Sequence, residues 1–348
     1  MNRQFGAFAG LAMVLIVLNH AISFGLEAQV QNGFPEMKGG LSIFLSTLQT
    51  ISIIAVPIFF FISGSFVSYA AQGNPPHLSS RFLWSSLRHI LIPYIIWSII
   101  SYFLVYFQHH ETYTFAGYVK NILVGYPYHF IPLLLAFYVL SPLLLIVAWR
   151  HRLILLIVIA AYQLFTVNVV TPGYIGIVFP SWTSRFVMPT LRTTFAQWGI
   201  YFPFGLVYGL HAIKILPWLK HWKWVLIGAT VIVFCLGGYA THQNVKFHFM
   251  RLIWKTTFVL SIPVISRNQL PWFRNLEKVG KRSYGLYLTH LIILNLSVWI
   301  FHLVTPGIIG NNILFLSLLF AIGLLIPLGL MELASRSPGR RMYRYIFG

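Results

Sequence analysis

The sequence predicts an all-α, polytopic membrane bundle of about ten transmembrane helices, with both termini in the cytoplasm. Three observations carry that prediction. The 348 residues are 58% hydrophobic and 8% charged, with a mean hydropathy of +0.77; a soluble domain carries roughly 25% charged residues. Apolar runs of about 20 residues, enough to cross ~30 Å of hydrocarbon, recur along the whole chain. Lys and Arg are also shared unevenly between alternate connections, as cytoplasmic and outer loops are.

The apolar runs lie at 6–27, 42–71, 90–108, 130–149, 153–170, 195–212, 223–240, 251–266, 284–304 and 312–334. The second is long for one crossing and is expected to tilt or to kink at Pro57. Prolines 93, 132, 142, 203, 263 and 327 add further breakers, each removing a backbone donor and freeing a carbonyl that needs another partner. Such kinks favour a bundle with an internal cavity.

One set of connections holds Arg3, Arg81, Arg88, Arg150, Arg152, Lys214, Lys220 and Lys223. It continues with Arg267, Arg274, Lys278, Lys281, Arg282, Arg336, Arg340, Arg341 and Arg344, 17 cations in all. The other set holds seven: Lys38, Lys120, Arg185, Arg192, Lys246, Arg251 and Lys255. The richer side is read as cytoplasmic. The first run is longer than the roughly 7–15 apolar residues of a signal peptide and is read as a retained span.

Composition also excludes. The acidic residues are Glu27, Glu36, Glu111, Glu277 and Glu332, and there is no aspartate. This removes aspartyl-phosphate chemistry, Asp-metal clusters and most carboxylate proton relays. The single cysteine, Cys235, excludes an intramolecular disulfide and any C-x-x-C motif. The net charge of +19 lacks the long basic run or module that nucleic-acid binding would need. In a membrane chain it points instead to anionic headgroups or a polyanionic co-substrate. P-loop, nucleophile-elbow, zincin and dinucleotide fingerprints are missing, and no metal site is expected.

Polar groups placed in hydrocarbon need partners or a wet cavity. That singles out Asn19 and His20, late in the first run. Fourteen residues beyond Gly6, His20 lies about 21 Å along a helix, past the midplane. A neutral imidazole there either makes one interhelical hydrogen bond or serves as a general base. By the same arithmetic His290, near the start of the ninth run, lies only about 10 Å in. The two histidines are therefore expected not to touch, and to have different tasks.

Lys281, Arg282, Ser283, Tyr284, Tyr287 and His290 gather basic and hydroxyl groups at the cytoplasmic mouth, with Tyr287 and His290 sharing a helix face. Arg81 and Arg88 precede the third run, and arginine binds phosphate oxygens bidentately; the positive-inside bias accounts for them equally well. Ser63-Gly64 offers close helix packing first and a substrate path second. In the outer loop at 171–194, Arg185 and Arg192 either contact an acceptor or anchor the loop at the interface.

Four stretches together resemble the membrane-bound acyltransferase 3 family, which acylates surface sugars and related acceptors. They are Leu11-Ala-Met-Val-Leu-Ile-Val-Leu-Asn-His20, Val56-Pro-Ile-Phe-Phe-Phe-Ile-Ser-Gly64, Arg88-His-Ile-Leu-Ile-Pro-Tyr-Ile-Ile-Trp97 and Gly280-Lys-Arg-Ser-Tyr-Gly-Leu-Tyr-Leu-Thr-His290. The resemblance covers 1–334. It departs from the family where members commonly carry an Asp and an Arg or Lys ahead of the signature histidine: Gly6 and Ala9 stand there, with Arg3 nearby. Without room for an added catalytic domain, 1–348 resembles the stand-alone type, a single membrane domain.

The resemblance implies a multi-pass enzyme of the bacterial inner membrane. It would move a short acyl group, acetyl first, from cytoplasmic acyl-CoA (acetyl-CoA) to a hydroxyl of a glycan or lipid-linked glycan. His20 would be the base or become acylated itself, with Asn19 orienting it or the thioester oxygen. Arg81, Arg88, Lys281 and Arg282 would hold the donor's phosphates, and Tyr284, Tyr287 and His290 would line its approach. Ser63, Arg185 and Arg192 would line the acceptor's path. Membrane lipids and the acceptor are the expected partners. A transporter without chemistry is the rival reading, disfavoured by the scarcity of intramembrane carboxylates.

Overall fold

The computed structural model describes residues 3–242, 248–336 and 342–348. Lys246, Arg340 and Arg341 of the charge tally lie outside the described residues. The helices are α1 (Arg3–Gln31), α2 (Gly40–Ser52), α3 (Ala55–Ala70), α4 (Ser80–His109), α5 (Phe115–Val124), α6 (Phe130–Arg150), α7 (Arg152–Val170) and α8 (Arg192–Trp198). They continue with α9 (Tyr201–His221), α10 (Lys223–His242), α11 (His248–Ser261), α12 (Phe273–Gly280), α13 (Ser283–Val304), α14 (Pro306–Ile309), α15 (Asn312–Arg336) and α16 (Tyr343–Phe347). No strand forms among the described residues.

Among the described residues, eight segments are long and apolar enough to cross a membrane: α1, α2 with α3, α4, α6, α7, α9, α13 and α15. The chain is a multi-pass membrane protein. The runs at 223–240 and 251–266 fold as α10 and α11, which pack on each other and join through Thr230 and Thr257, 2.9 Å apart. With 14 residues, α11 spans about 21 Å, less than one straight crossing.

The prolines act where helix geometry says they should. The second run breaks between Ser52 and Ala55, ahead of Pro57 rather than at it. Pro57 has no amide for the carbonyl of Ile53, and its ring crowds that carbonyl, so the helix gives way there. Pro132 and Pro203 fall in the first turns of α6 and α9, where a missing amide costs little. Pro93, Pro142 and Pro327 lie inside α4, α6 and α15.

Two compact units divide the chain. The terminal unit comprises residues 2–55, 89–114 and 272–348; the central unit comprises 56–88 and 115–271. In the terminal unit α1 packs on α12, α13 and α15. A Cβ on Gly25 would meet Leu316, and one on Gly323 would meet Val17 and Leu294, so α15 runs antiparallel to α1 and α13. Ala21, Leu294, Phe315 and Leu319 fill that contact. The C-terminal residues fold back within the same unit: the Trp97 indole donates to the Ile346 carbonyl at 2.7 Å, and Phe347 packs on Gly285.

In the central unit α3 and α9 approach backbone to backbone. A Cβ on Gly64 would lie 2.1 Å from the Phe202 carbonyl oxygen, and one on Gly205 would lie 1.9 Å from that of Phe61. Ser65 donates to both Phe61 and Gly205. Helices in lipid gain little from apolar burial against each other, so small residues that allow such close contact hold them together. Gly64 is thus a packing residue, and half-buried Ser63 sits beside that contact.

A histidine pair in the terminal unit

Helix α12 decides the geometry. Its eight residues, Phe-Arg-Asn-Leu-Glu-Lys-Val-Gly, turn one face inward, burying Phe273, Glu277 and Gly280. That face lies against the first turns of α1 with almost no space between backbones. A Cβ on Gly280 would come 1.8 Å from the Gly6 oxygen, and one on Gly10 would come 1.9 Å from the Leu276 oxygen. Gly6, where a charged residue was expected, is therefore part of a helix contact. Arg3 closes the same contact with an ion pair to Glu277 at 3.1 Å, and Lys281 reaches Glu277 at 3.1 Å. The two cations hold the Glu277 carboxyl below the usual carboxylate range, the Arg3 hydrogen bond contributing most.

Because α12 covers the start of α1, α13 begins two turns along α1 and not level with its end. His20 lies ten residues beyond Gly10, and His290 ten residues beyond Gly280. The structure accordingly brings the two together, with ring centroids 5.3 Å apart. This corrects the expectation that they sit at different depths. That estimate started both helices at one membrane plane, and α12 shifts α13 by about 10 Å. The shared ten-residue spacing from a glycine was the sequence signal that was overlooked.

The pair is asymmetric. His290 is fully buried, and its Nδ1 lies 3.1 Å from the Leu286 carbonyl oxygen. A carbonyl only accepts, so Nδ1 carries the proton and Nε2 keeps a lone pair. That Nε2 is buried with no hydrogen-bond partner. His20 is half-buried and also meets the edge of Phe24, 6.5 Å between centroids. The Tyr287 ring lies tilted beside His290, centroids 5.6 Å apart, on the face the i, i+3 spacing gives it. Asn19 is half-buried and, among the described residues, makes no hydrogen bond.

The other expected residues are distributed as follows. Arg282 pairs with Glu332, which also holds Arg336. Tyr284 donates its hydroxyl proton to the Ile90 carbonyl at 2.6 Å. Lys281 and Arg282 are thus engaged by carboxylates within the terminal unit. Arg81, Arg88, Ser63, Arg185 and Arg192 belong to the central unit, and the four arginines among them are exposed. Among the described residues, no three His, Cys, Asp or Glu side chains gather as metal ligands.

Further along α1 a cavity of about 270 Å³ opens between α1, α2 and their connection. Gln29, Glu36, Ser42, Ser46 and Gln49 give it polar walls. It begins six residues beyond His20, about 9 Å along the helix. Gln49 donates to Ser23 at 3.0 Å on the way.

The described helices thus form a membrane bundle that holds a pair of imidazoles in one unit. Sequence comparison supplies the family: the acyltransferase 3 profile, described as an acyltransferase domain, matches residues 8–332, and the chain belongs to that family. It is a membrane acyltransferase. No curated protein and no solved structure matches it.

Proposed function

We propose that this protein is an acyl-CoA-dependent O-acyltransferase of the plasma membrane. It moves a short acyl group, acetyl first, to a hydroxyl of a glycan or lipid-linked glycan. The observation that carries this reading is the His20–His290 pair, with its unpartnered Nε2 held in the basic tautomer.

His20 takes the acceptor's hydroxyl proton as the oxygen bonds to the thioester carbonyl carbon. The C–S bond breaks, and the departing thiolate recovers the proton. A neutral imidazole suits this role because apolar surroundings disfavour its charged form until the proton arrives. His290, fixed by Leu286, packs beside His20 and offers its Nε2 as a second acceptor. The cavity along α1, with polar groups set in mostly apolar walls, supports an acceptor arriving from the end of the helix opposite Arg3. An even number of crossings, eight or ten, would put both termini on one side, read from the cation tally as cytoplasmic. Exposed Arg81 and Arg88 of the central unit remain the phosphate-holding candidates.

The test is labelled acetyl-CoA with membranes containing the chain and a candidate glycan. Label should pass to the glycan as an alkali-labile ester. Undiminished transfer by well-expressed His20→Ala would remove His20 from the mechanism, and transport of glycan without consumption of acetyl-CoA would overturn the enzyme reading.

A further inference from the structure

The cavity between α1, α2 and their connection is lined by polar groups that the fold itself leaves uncommitted. Gln29, in the last turn of α1, is only 3% exposed. Its Nε2 donates to the Ile309 carbonyl at 2.9 Å and to the Asn312 Oδ1 at 2.8 Å. A backbone carbonyl only accepts, so the nitrogen must face it, and both amide protons are spent. The Oε1 remains, and among the described residues it makes no hydrogen bond. A buried acceptor without a partner is unfavourable, and this one belongs to a cavity wall.

On α2 the hydroxyls divide into two sets. Thr47, Thr50 and Ser52 each donate to the carbonyl four residues back, at 2.8 Å. Ser42 and Ser46, which line the cavity, make no hydrogen bond through their hydroxyls among the described residues. Spaced four apart, with Gln49 three further on, they share one helix face with it. Gln49 donates its amide proton to Ser23, and its oxygen makes no hydrogen bond among the described residues. Glu36, in the connection, is exposed and makes no ion pair among them. Of the described residues it is the one charged side chain in the lining, where Leu26, Val30, Pro35, Met37 and Leu45 supply the apolar surface.

We propose that this cavity binds one uncharged sugar unit and turns away acidic ones. Three acceptors, the Gln29 and Gln49 oxygens and the Glu36 carboxylate, suit a ligand rich in hydroxyl donors. The Ser42 and Ser46 hydroxyls donate or accept, as an alcohol partner requires. The apolar side chains suit the C–H faces of a ring, and a few polar groups in apolar walls are the usual make-up of small-molecule sites. The volume of about 270 Å³ lies just below the roughly 300–1,000 Å³ of such sites, room for one ring and not for an oligomer. A carboxylate or phosphate would meet one negative charge there and no cation, so its lost hydration would go uncompensated. Taking the sugar to be part of the acceptor rests on the transfer reading above. The cavity begins about 9 Å from His20 along α1, so the unit it holds is a neighbour of the one that is acylated.

The experiment is equilibrium dialysis of labelled monosaccharides against the full-length protein, in a detergent without a sugar headgroup and with no acyl donor. At least one of glucose, galactose, mannose and N-acetylglucosamine should bind saturably, and glucuronate and glucose 6-phosphate should not. Ser42→Ala combined with Ser46→Ala removes two hydroxyls that hold nothing in the fold. Tm should therefore stay, and Kd for the bound sugar should rise about tenfold or more. Thr47→Ala, whose lost hydroxyl is spent on Ile43, should leave Kd unchanged. Glu36→Lys should admit glucuronate, and its continued exclusion would remove the role given to Glu36. The site would be overturned by saturable binding of none of the neutral sugars, or by acidic sugars binding as tightly as neutral ones. An equal Kd in the serine variant and the parent, or an equal effect of Thr47→Ala, would overturn it too.

These measurements use no acyl donor, so their failure leaves the transfer reading standing, and sugar binding without transfer would remove that reading and keep the site. Within that reading, the paired serine substitutions should raise KM for a neutral glycan more than they lower kcat.

Discussion

All five glutamates fall in the terminal unit and none in the central unit, although both carry lysines and arginines. In the terminal unit, Glu277 answers Arg3 and Lys281, and Glu332 answers Arg282 and Arg336. Charge there fixes the register of α1, α12 and α13. Its buried groups left without a partner are neutral ones, the Nε2 of His290, the Ser98 hydroxyl and the Gln108 amide. In the central unit no carboxylate is present, and the Tyr201 hydroxyl is buried without a partner. A region that neutralises its own charge is suited to moving protons at a lone pair. The difference is one of charge: carboxylates answer the cations of one unit, and the other unit has none.

The sharpest way to break that comparison is to remove the imidazoles. His20→Ala should lower acyl transfer by about 10²–10⁴-fold, the range of general acid–base catalysis, in a labelled acyl-CoA assay at matched expression. His290→Ala should also lower it, and His290→Gln, which keeps a polar side chain without a basic nitrogen, should not rescue it.

Next comes the contact that sets the pair. Gly280→Ala drives a methyl into the Gly6 carbonyl, 1.8 Å away, and backbone cannot yield as a side chain can. The loss should reach the top of the ~1–3 kcal/mol typical of overpacking, read as a lower Tm together with lower transfer. Gly228→Ala in α10 meets nothing within 4 Å and should stabilise by roughly 0.5–1 kcal/mol.

Glu277 supplies the pH arm. Its folded carboxyl titrates below the unfolded value. Its stabilisation is therefore fully present above the unfolded value of about 4.3. It is lost as pH falls through the lower folded value. Tm of the parent protein should drop across that window, and Glu277→Gln should start lower at neutral pH and change less. The smallest effect belongs to Ser65→Ala, which removes the hydroxyl that Phe61 and Gly205 share; unfolding should register about 1 kcal/mol.

Much of the fold was legible because membrane crossing imposes a length and a polarity that any apolar run declares. Eight full-length segments lie where those runs lie. What escaped was short or charged. Helix α12 holds Arg274, Glu277 and Lys278 among its eight residues and reads as a connection, yet it displaces α13 along α1. His20 was legible as a polar group in hydrocarbon, but its partner was not, because depth counted along a helix assumes a common starting plane. Lys255 was visible only as one cation in a tally. Its burial is a property of packing, and the absence of acids from its whole unit needs the unit's boundaries to be seen.

The register of α1 against α13 is the central claim, and paired cysteines test it most directly. In a Cys235→Ser background, His20→Cys combined with His290→Cys should form a disulfide under mild oxidation. His20→Cys combined with Ser297→Cys, the pairing expected if both helices began at one plane, should stay reduced. A bond at 20 and 297 with none at 20 and 290 would contradict the account.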